Sequence, residues 1–308
     1  MTNTSVDFRR PAEEHLENVG CYLCGADAAT PMYGRAPYQV VRCNRCGFVY
    51  TTPRLNLAGR NAMYDEAYWR SDSPKDMGYA AYFTERDLYV ETFRRRLKGF
   101  VNRFVQGPGR VLDIGCAAGF SLEAFREADW DVWGVEVSKS ASDFARDEMR
   151  LPHIFTGDLG DAGLEPASFD VITMWEVIEH VEDPIATMAK ARALLKPDGW
   201  FFLSTQNVNA AFPDLVGGQW HHFKYEEHIY HFSPPTIRRA LDLAGFEMRH
   251  LQARGAGKLV TIDFIVERAG RLHPMLSKIL GALPLPRGKA VYVNPMDEML
   301  VAARARPA

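Results

Sequence analysis

Between residues 110 and 206 the chain repeats one pattern five times: a short apolar run, then a stretch with helical spacing. The runs are 110–114, 131–136, 153–156, 169–174 and 200–204. Ser121 caps the first intervening helix, with Leu122, Phe125 and Ala128 on one face, and Ser138 opens the second. Asp183 and Pro184 start another that reaches about Leu195 and stops at Lys196-Pro197-Asp198-Gly199. Strands that are apolar throughout are buried on both faces, and parallel neighbours need a crossover of helical length. The alternation therefore predicts an α/β, doubly wound, mostly parallel sheet.

In such sheets ligands bind beyond the carboxyl ends of the strands, where the strand order reverses. The polar residues of interest fall there. Asp113, Gly115 and Gly119 surround the first strand-to-helix turn, Glu136 ends the second strand, Asp158 follows the third, and Trp175-Glu176 follow the fourth. A dinucleotide site would use GxGxxG, its second glycine admitting a pyrophosphate. Here that position is Ala117, and an acid precedes the turn. Such a turn repels phosphate and suits a ligand carrying sulfonium and ammonium charges. Glu136 is placed to accept hydrogen bonds from both hydroxyls of a ribose.

Four of the five cysteines form two CxxC pairs, Cys21/Cys24 and Cys43/Cys46, while Cys116 stands alone. Without an export signal such pairs point to metal in a reducing compartment. Two tight turns supply four thiolates for a closed tetrahedral Zn²⁺ site, structural because no coordination position is left open. Residues 1–18 read as a flexible leader, 19–54 as the zinc-binding module and 55–108 as a helical lid or linker. That lid is rich in aromatics: Tyr64, Tyr68, Trp69, Tyr79 and Tyr82.

The stretch VLDIGCAAGF, continued by GVEVS, GDL, FDVITMWEVIEHVEDP and LLKPDGWFFLSTQN, resembles class I S-adenosylmethionine-dependent methyltransferases over roughly residues 80 to 250. The resemblance implies a seven-stranded, Rossmann-like sheet with a small N-terminal zinc ribbon. It also implies that Gly115, Cys116, Ala117 and Gly119 line the methionine and ribose portion of the cofactor. Glu136 would hold the ribose, Val137 pack on the adenine, Asp158 and Leu159 meet its amino edge, and Trp175 and Glu176 wall the reacting end.

The acceptor side falls on residues 221–234, dense in His, Tyr, Glu and Lys. EEHIYHFSPPTIRRALDLAGF resembles the matching segment of small-molecule methyltransferases and, in part, of sugar C-methyltransferases. That likeness implies His228 as general base with Glu227 orienting it. His231 and Tyr225 are further candidates, although His231 could instead cap or underlie the next helix. His180 reads as wall or structure.

A net charge of −3 gives no general attraction to nucleic acid. No apolar run is long enough to span a membrane. The run Arg94, Arg95, Arg96, Lys98 reads as a solvated helix face. The apolar, helix-like insertion at about 259–283 either covers the pocket or makes a homodimer contact, and the last strand falls near 290–293 or 298–302. The sequence thus predicts a cytoplasmic methyltransferase acting on a small molecule of sugar, glycan-precursor or natural-product type, by O-methylation, with N- or C-methylation open. An RNA base methyltransferase and a non-catalytic interaction protein that binds the cofactor or zinc are the rivals.

Overall fold

The computed structural model describes residues 11–63, 69, 82–272, 274–286 and 288–307. Its centre is one seven-stranded sheet. The strands are β1 (Arg110–Ile114), β2 (Asp131–Glu136), β3 (His153–Thr156), β4 (Phe169–Trp175), β5 (Leu195–Gln206), β6 (Phe246–Gln252) and β7 (Glu298–Ala305). They lie in the order 6-7-5-4-1-2-3. Strands 1 to 5 pair in parallel, for example Leu112 beside Ile172 and Leu203 beside Met174. β7 runs antiparallel between β5 and β6. Leu112, Ile172, Phe201 and Phe202 are wholly buried, at about 1.5–3 kcal/mol of stabilisation for each side chain. The chain leaves β1 in one direction and returns to β4 on its other side, which opens the crevice between those strand ends.

The helices that position the site are α1 (Arg86–Gly99), α2 (Phe120–Arg126), α3 (Lys139–Asp147), α4 (Pro184–Leu194) and α5 (Pro234–Leu243). Ser138 caps α3 by accepting from the Ala141 amide. Asp183 does the same for α4 from Ala186, with Pro184 at the first helical position where its missing N–H costs nothing. Ser121 does not cap α2. Gly119 stands at that N-cap with φ of 78°, and Ser121 is buried one residue inside the helix.

The N-terminal region is not a separate bead. Strands Ala29–Arg35, Tyr38–Cys43 and Val49–Thr51 form an antiparallel sheet whose fourth member is Tyr230–His231. Residues 1–10 of the expected leader lie outside the described residues. The rest of it is ordered against the fold: Leu16–Glu17 pair with Arg54–Leu55. Tyr64, Tyr68 and Tyr79 also lie outside. Trp69 is buried and donates to the Ser138 hydroxyl, and Tyr82 stacks near it with ring centroids 5.0 Å apart.

The expected insertion begins as strand Lys258–Thr261, which pairs with Ala290–Val293 outside the central sheet. It continues as α6 (Ile262–Leu272) and α7 (Pro274–Ala282). The last sheet strand is therefore β7. No helix among the described residues is long and apolar enough to cross a membrane.

Candidate active site

The first half of the crevice is built from strand ends. After β1 the backbone turns with Gly115 at φ +70° and Gly119 at φ +78°. A Cβ on Gly115 would stand 2.5 Å from Val177, and one on Gly119 2.2 Å from Leu151, so glycine is required by conformation and by space. Ala117 between them adopts φ 46°, at a cost of roughly 1–2 kcal/mol for a residue with a side chain. Its amide donates to Glu136 Oε2 at 2.9 Å, and the Ser138 amide donates to Oε1 at 2.8 Å. Glu136 is thereby clamped at the end of β2 with further lone pairs available. Burial raises its pKa, and these amide bonds work against the rise.

Beside it Val137 is 61% exposed. Asp158 is also exposed, accepts from the Gly160 amide at 2.8 Å and faces Lys190 Nζ at 3.3 Å. Leu159 is buried below. Gly115, Ala117, Gly119, Glu136, Val137, Asp158 and Leu159 thus occupy neighbouring strand ends.

Three other expected contacts turn inward. Asp113 is 2% exposed and accepts from Thr173 Oγ1 at 2.6 Å. Burial pushes its pKa up to about 7, against the opposing bonds from Thr173 and Ser121. Trp175 is buried and donates to the Ser121 hydroxyl at 2.9 Å, so Ser121 links the tryptophan to the acid. The Cys116 thiol lies in the core beneath Gly134, its amide bonds Val135 and its carbonyl accepts from Gly119. The resemblance placed Cys116 along the cofactor; in the structure its side chain and both its backbone polar groups are engaged within the protein. These residues make the floor.

The second half gathers side chains from distant segments. His180 meets His228 edge-on with ring centroids 4.6 Å apart. His222 stands 5.9 Å from His228, and His231 6.4 Å. Burial lowers the pKa of His180 to about 4, that of His231 to about 3, and that of His228 well below its usual value. All three are neutral at neutral pH. Nδ1 of His228 and both ring nitrogens of His231 are buried with no hydrogen-bond partner. So are Glu176 Oε1 and Glu179 Oε1. Each such group costs about 1–3 kcal/mol in a core that exists only for packing, and together they mark a cluster of buried polar groups.

The loop departs from expectation in three places. Glu227 turns its Oε2 to Lys224 Nζ at 2.8 Å and leaves His228 Nδ1 unpaired. Tyr225 lies under the Arg35 guanidinium, 5.4 Å from the ring centre, in the apolar cluster with Phe223. His231 does not cap α5, because Ser233 and Thr236 form a reciprocal capping box there.

Sequence reasoning missed Glu179, Asp297, Glu298 and Arg96, and gave His222 no role of its own within the 221–234 stretch. Arg94 and Arg95 do lie outward, paired with Glu127 and Glu91. Arg96 instead is 5% exposed, donates to the Ala256 carbonyl at 2.8 Å and stands 3.6 Å from Glu298 Oε2. Its signal was drowned in the basic run. Glu298 was hidden in an apolar strand, although an acid beginning such a strand could have flagged it.

The four N-terminal cysteines converge. Cys21 and Cys46 sulfurs are 3.4 Å apart, Cys24 and Cys43 3.5 Å, and one sulfur from each lies within 4.8 Å of all others. Thiolates on one tetrahedral Zn²⁺ stand about 3.8 Å apart, given Zn–S bonds near 2.3 Å, so the donor set fits that ion. Both turns close alike: Gly25 and Gly47 donate to the carbonyls of Cys21 and Cys43, with φ of 68° and 74°.

The strand after the second turn then grips the acceptor loop. Tyr50 pairs with Tyr230 and Val49 with His231. Thr51 donates its amide to the Ile229 carbonyl and its hydroxyl to that of His228. Arg54 Nη1 donates to the Tyr230 hydroxyl, which donates to the Glu182 carbonyl.

A family model described as a methyltransferase domain matches residues 89–251, more than half of the chain. The ubiquinone biosynthesis O-methyltransferase of Paraburkholderia phymatum is 35% identical over 162 residues, covering 50% of this chain and 66% of that one. That of Thiobacillus denitrificans is 36% identical over 120 residues, covering 37% and 52%. The chain thus spans about half to two thirds of the length of these curated relatives. Among solved structures, a Haloferax volcanii complex between a methyltransferase activator and a methyltransferase matches with a TM-score of 0.50 at 16% identity. It covers 74% of this chain and 96% of that one; this is a likeness of fold. With its crevice at the switch point of a 6-7-5-4-1-2-3 sheet and this match along its core, the chain belongs to the class I methyltransferase-domain family.

Proposed function

We propose that the protein transfers a methyl group from S-adenosylmethionine to a hydroxyl of a small molecule, with His228 as general base. The observation that carries this reading is a sheet edge with a buried carboxylate, Glu136, at one strand end and, beyond the others, His228 and His231 with ring nitrogens that lack a hydrogen-bond partner. Bound cofactor supplies an electrophilic methyl on a positively charged sulfur.

The chain's own residues do the rest. Glu136 accepts the ribose hydroxyls, Val137 offers an apolar surface to the base, and Asp158 accepts from its amino edge. His228, held neutral by burial, takes the acceptor's hydroxyl proton at Nδ1 as the new O–CH₃ bond forms and the S–CH₃ bond breaks. The relatives named as ubiquinone biosynthesis O-methyltransferases support a small, hydroxylated acceptor over a sugar in particular.

In the same reading the cysteine cluster holds a structural Zn²⁺ whose module braces the acceptor loop. Arg94 and Arg95 are engaged by acids and Arg96 is buried, which leaves Lys98 alone of the basic run to face an RNA.

The test is a labelled-methyl screen across hydroxylated small molecules and RNA. With the acceptor found, His228→Ala should lower turnover about 10²- to 10⁴-fold and leave cofactor affinity intact. Unchanged turnover would refute the base, and label only on RNA would refute the acceptor class.

A further inference from the structure

Three side chains converge at the start of β7 that the methyl-transfer reading does not use. His221 and His222 come from the acceptor loop, and Asp297 immediately precedes β7. One ligand atom from each lies within 4.8 Å of the other two. β7 runs antiparallel to β5, so its first residues lie at the crevice edge of the sheet. Backbone bonding fixes the junction, since Asn207 donates to the Asp297 carbonyl at 2.7 Å.

Asp297 is wholly buried. Its Oδ2 accepts from Trp220 Nε1 at 2.7 Å, while Oδ1 has no hydrogen-bond partner. Nε2 of His222, a residue 5% exposed, makes no hydrogen bond of good geometry and faces Glu298 Oε1 at 3.4 Å. Neighbouring cations are engaged elsewhere: Lys258 Nζ lies 3.5 Å, and an Arg96 nitrogen 3.6 Å, from Glu298. Among the described residues Asp297 has no lysine or arginine within ion-pair distance, and its only such neighbour is His221 Nε2 at 3.9 Å. A buried carboxylate lacking a cation and facing two imidazoles is costly unless something positive joins them.

We propose that His221, His222 and Asp297 bind a divalent first-row transition ion of the Zn²⁺ class. Two imidazoles and one carboxylate match that chemistry, and a set of three leaves a coordination position open. Ligand atoms on such an ion stand about 3.3 Å apart for bonds near 2.0–2.1 Å, so modest side-chain rotation closes the site. His221, whose side chain is 33% exposed, gives the ion its entry. Trp220 holds Asp297 from behind, as outer-shell partners commonly do. The His222 ring is 5.9 Å from that of His228. Resting on the methyl-transfer reading, the open position is where an acceptor oxygen would bind, made more acidic beside its base. Ion binding itself does not depend on that reading.

Co²⁺ is the probe, titrated into the full chain as purified, with metal in the cysteine cluster counted by mass spectrometry. The expected result is one Co²⁺ per chain whose visible spectrum lacks the thiolate charge-transfer band. Asp297→Asn, which preserves shape and the Trp220 bond, and His221→Ala, at a partly exposed position, should each weaken it about 100-fold or more. S-adenosylmethionine titration of the same samples reports the fold and tests the methyl-transfer reading separately. No Co²⁺ binding, binding only with thiolate bands, or unchanged affinity in both variants overturns the site.

Discussion

The two sides of the crevice are made in different ways. The side proposed for the cofactor uses the ends of adjacent strands in one continuous sheet, and what it presents is largely backbone: two glycines, an alanine amide and the clamped Glu136. The acceptor side uses side chains from the segment after β4, the 221–231 loop and the start of β7, with α1 behind, and it is braced by the N-terminal module. The first is rigid because the sheet is rigid. The second holds together only when several separate segments agree, so damage should divide along this line.

The strongest break should come from Cys43→Ser. If the cysteine cluster holds the proposed Zn²⁺, losing one thiolate removes the ion and with it the folding free energy of a small metal module. Turnover should vanish while affinity for S-adenosylmethionine stays within about threefold, as calorimetry will show; joint loss of both would mean that the two sides are not separable. Next comes Glu136→Ala on the opposite side. Removing a charged acceptor of about 1.5–3 kcal/mol should weaken cofactor binding about 10- to 100-fold. Normal affinity would sink the ribose assignment.

Asp113→Asn sharpens the comparison through pH. Burial holds the Asp113 carboxyl at about 7 in the folded chain, above the roughly 3.9 of an unfolded one. The folded state therefore keeps this proton more tightly. That contribution is complete below about pH 4 and is lost as pH rises through about 7. Asparagine keeps the shape without the charge, so the variant should gain up to about 4 kcal/mol relative to wild type between pH 4 and 8. A constant gap in melting temperature would contradict the shift. The smallest effect is assigned to Thr51→Val, which deletes the hydroxyl bond to the His228 carbonyl at about 1 kcal/mol. It should slow turnover a few-fold and leave cofactor affinity alone.

The same division decides what could be read from sequence. The place of Glu136 was legible because it ends the second strand, and local spacing finds that position. Gly115 and Gly119 were legible because their backbone angles exclude other residues. His222, Asp297 and Glu298 were not, since only the closing of β7 against β5 brings them together. Arg96 was hidden because a run of basic residues looks solvated until one of them is seen to face the core. Glu227 failed as a partner for His228 because a turn closing on the Lys224 carbonyl aims it at the Lys224 side chain. The convergence of the four cysteines was plain from spacing, yet spacing could not say that the strand beyond them would pair with Tyr230 and His231.

That pairing has a consequence for how the chain is made. Thr51 and its partner His228 are 177 residues apart, so the cysteine turns are synthesised long before the segment that completes their sheet. Until then Val49–Thr51 is an apolar sheet edge with unsatisfied amides, the kind of surface that recruits other chains. Contacts of such long range also form late in folding. A nascent chain truncated before residue 230 should therefore be prone to self-association even with its metal bound, and the last stretch of the acceptor loop serves as the cover that ends this exposure.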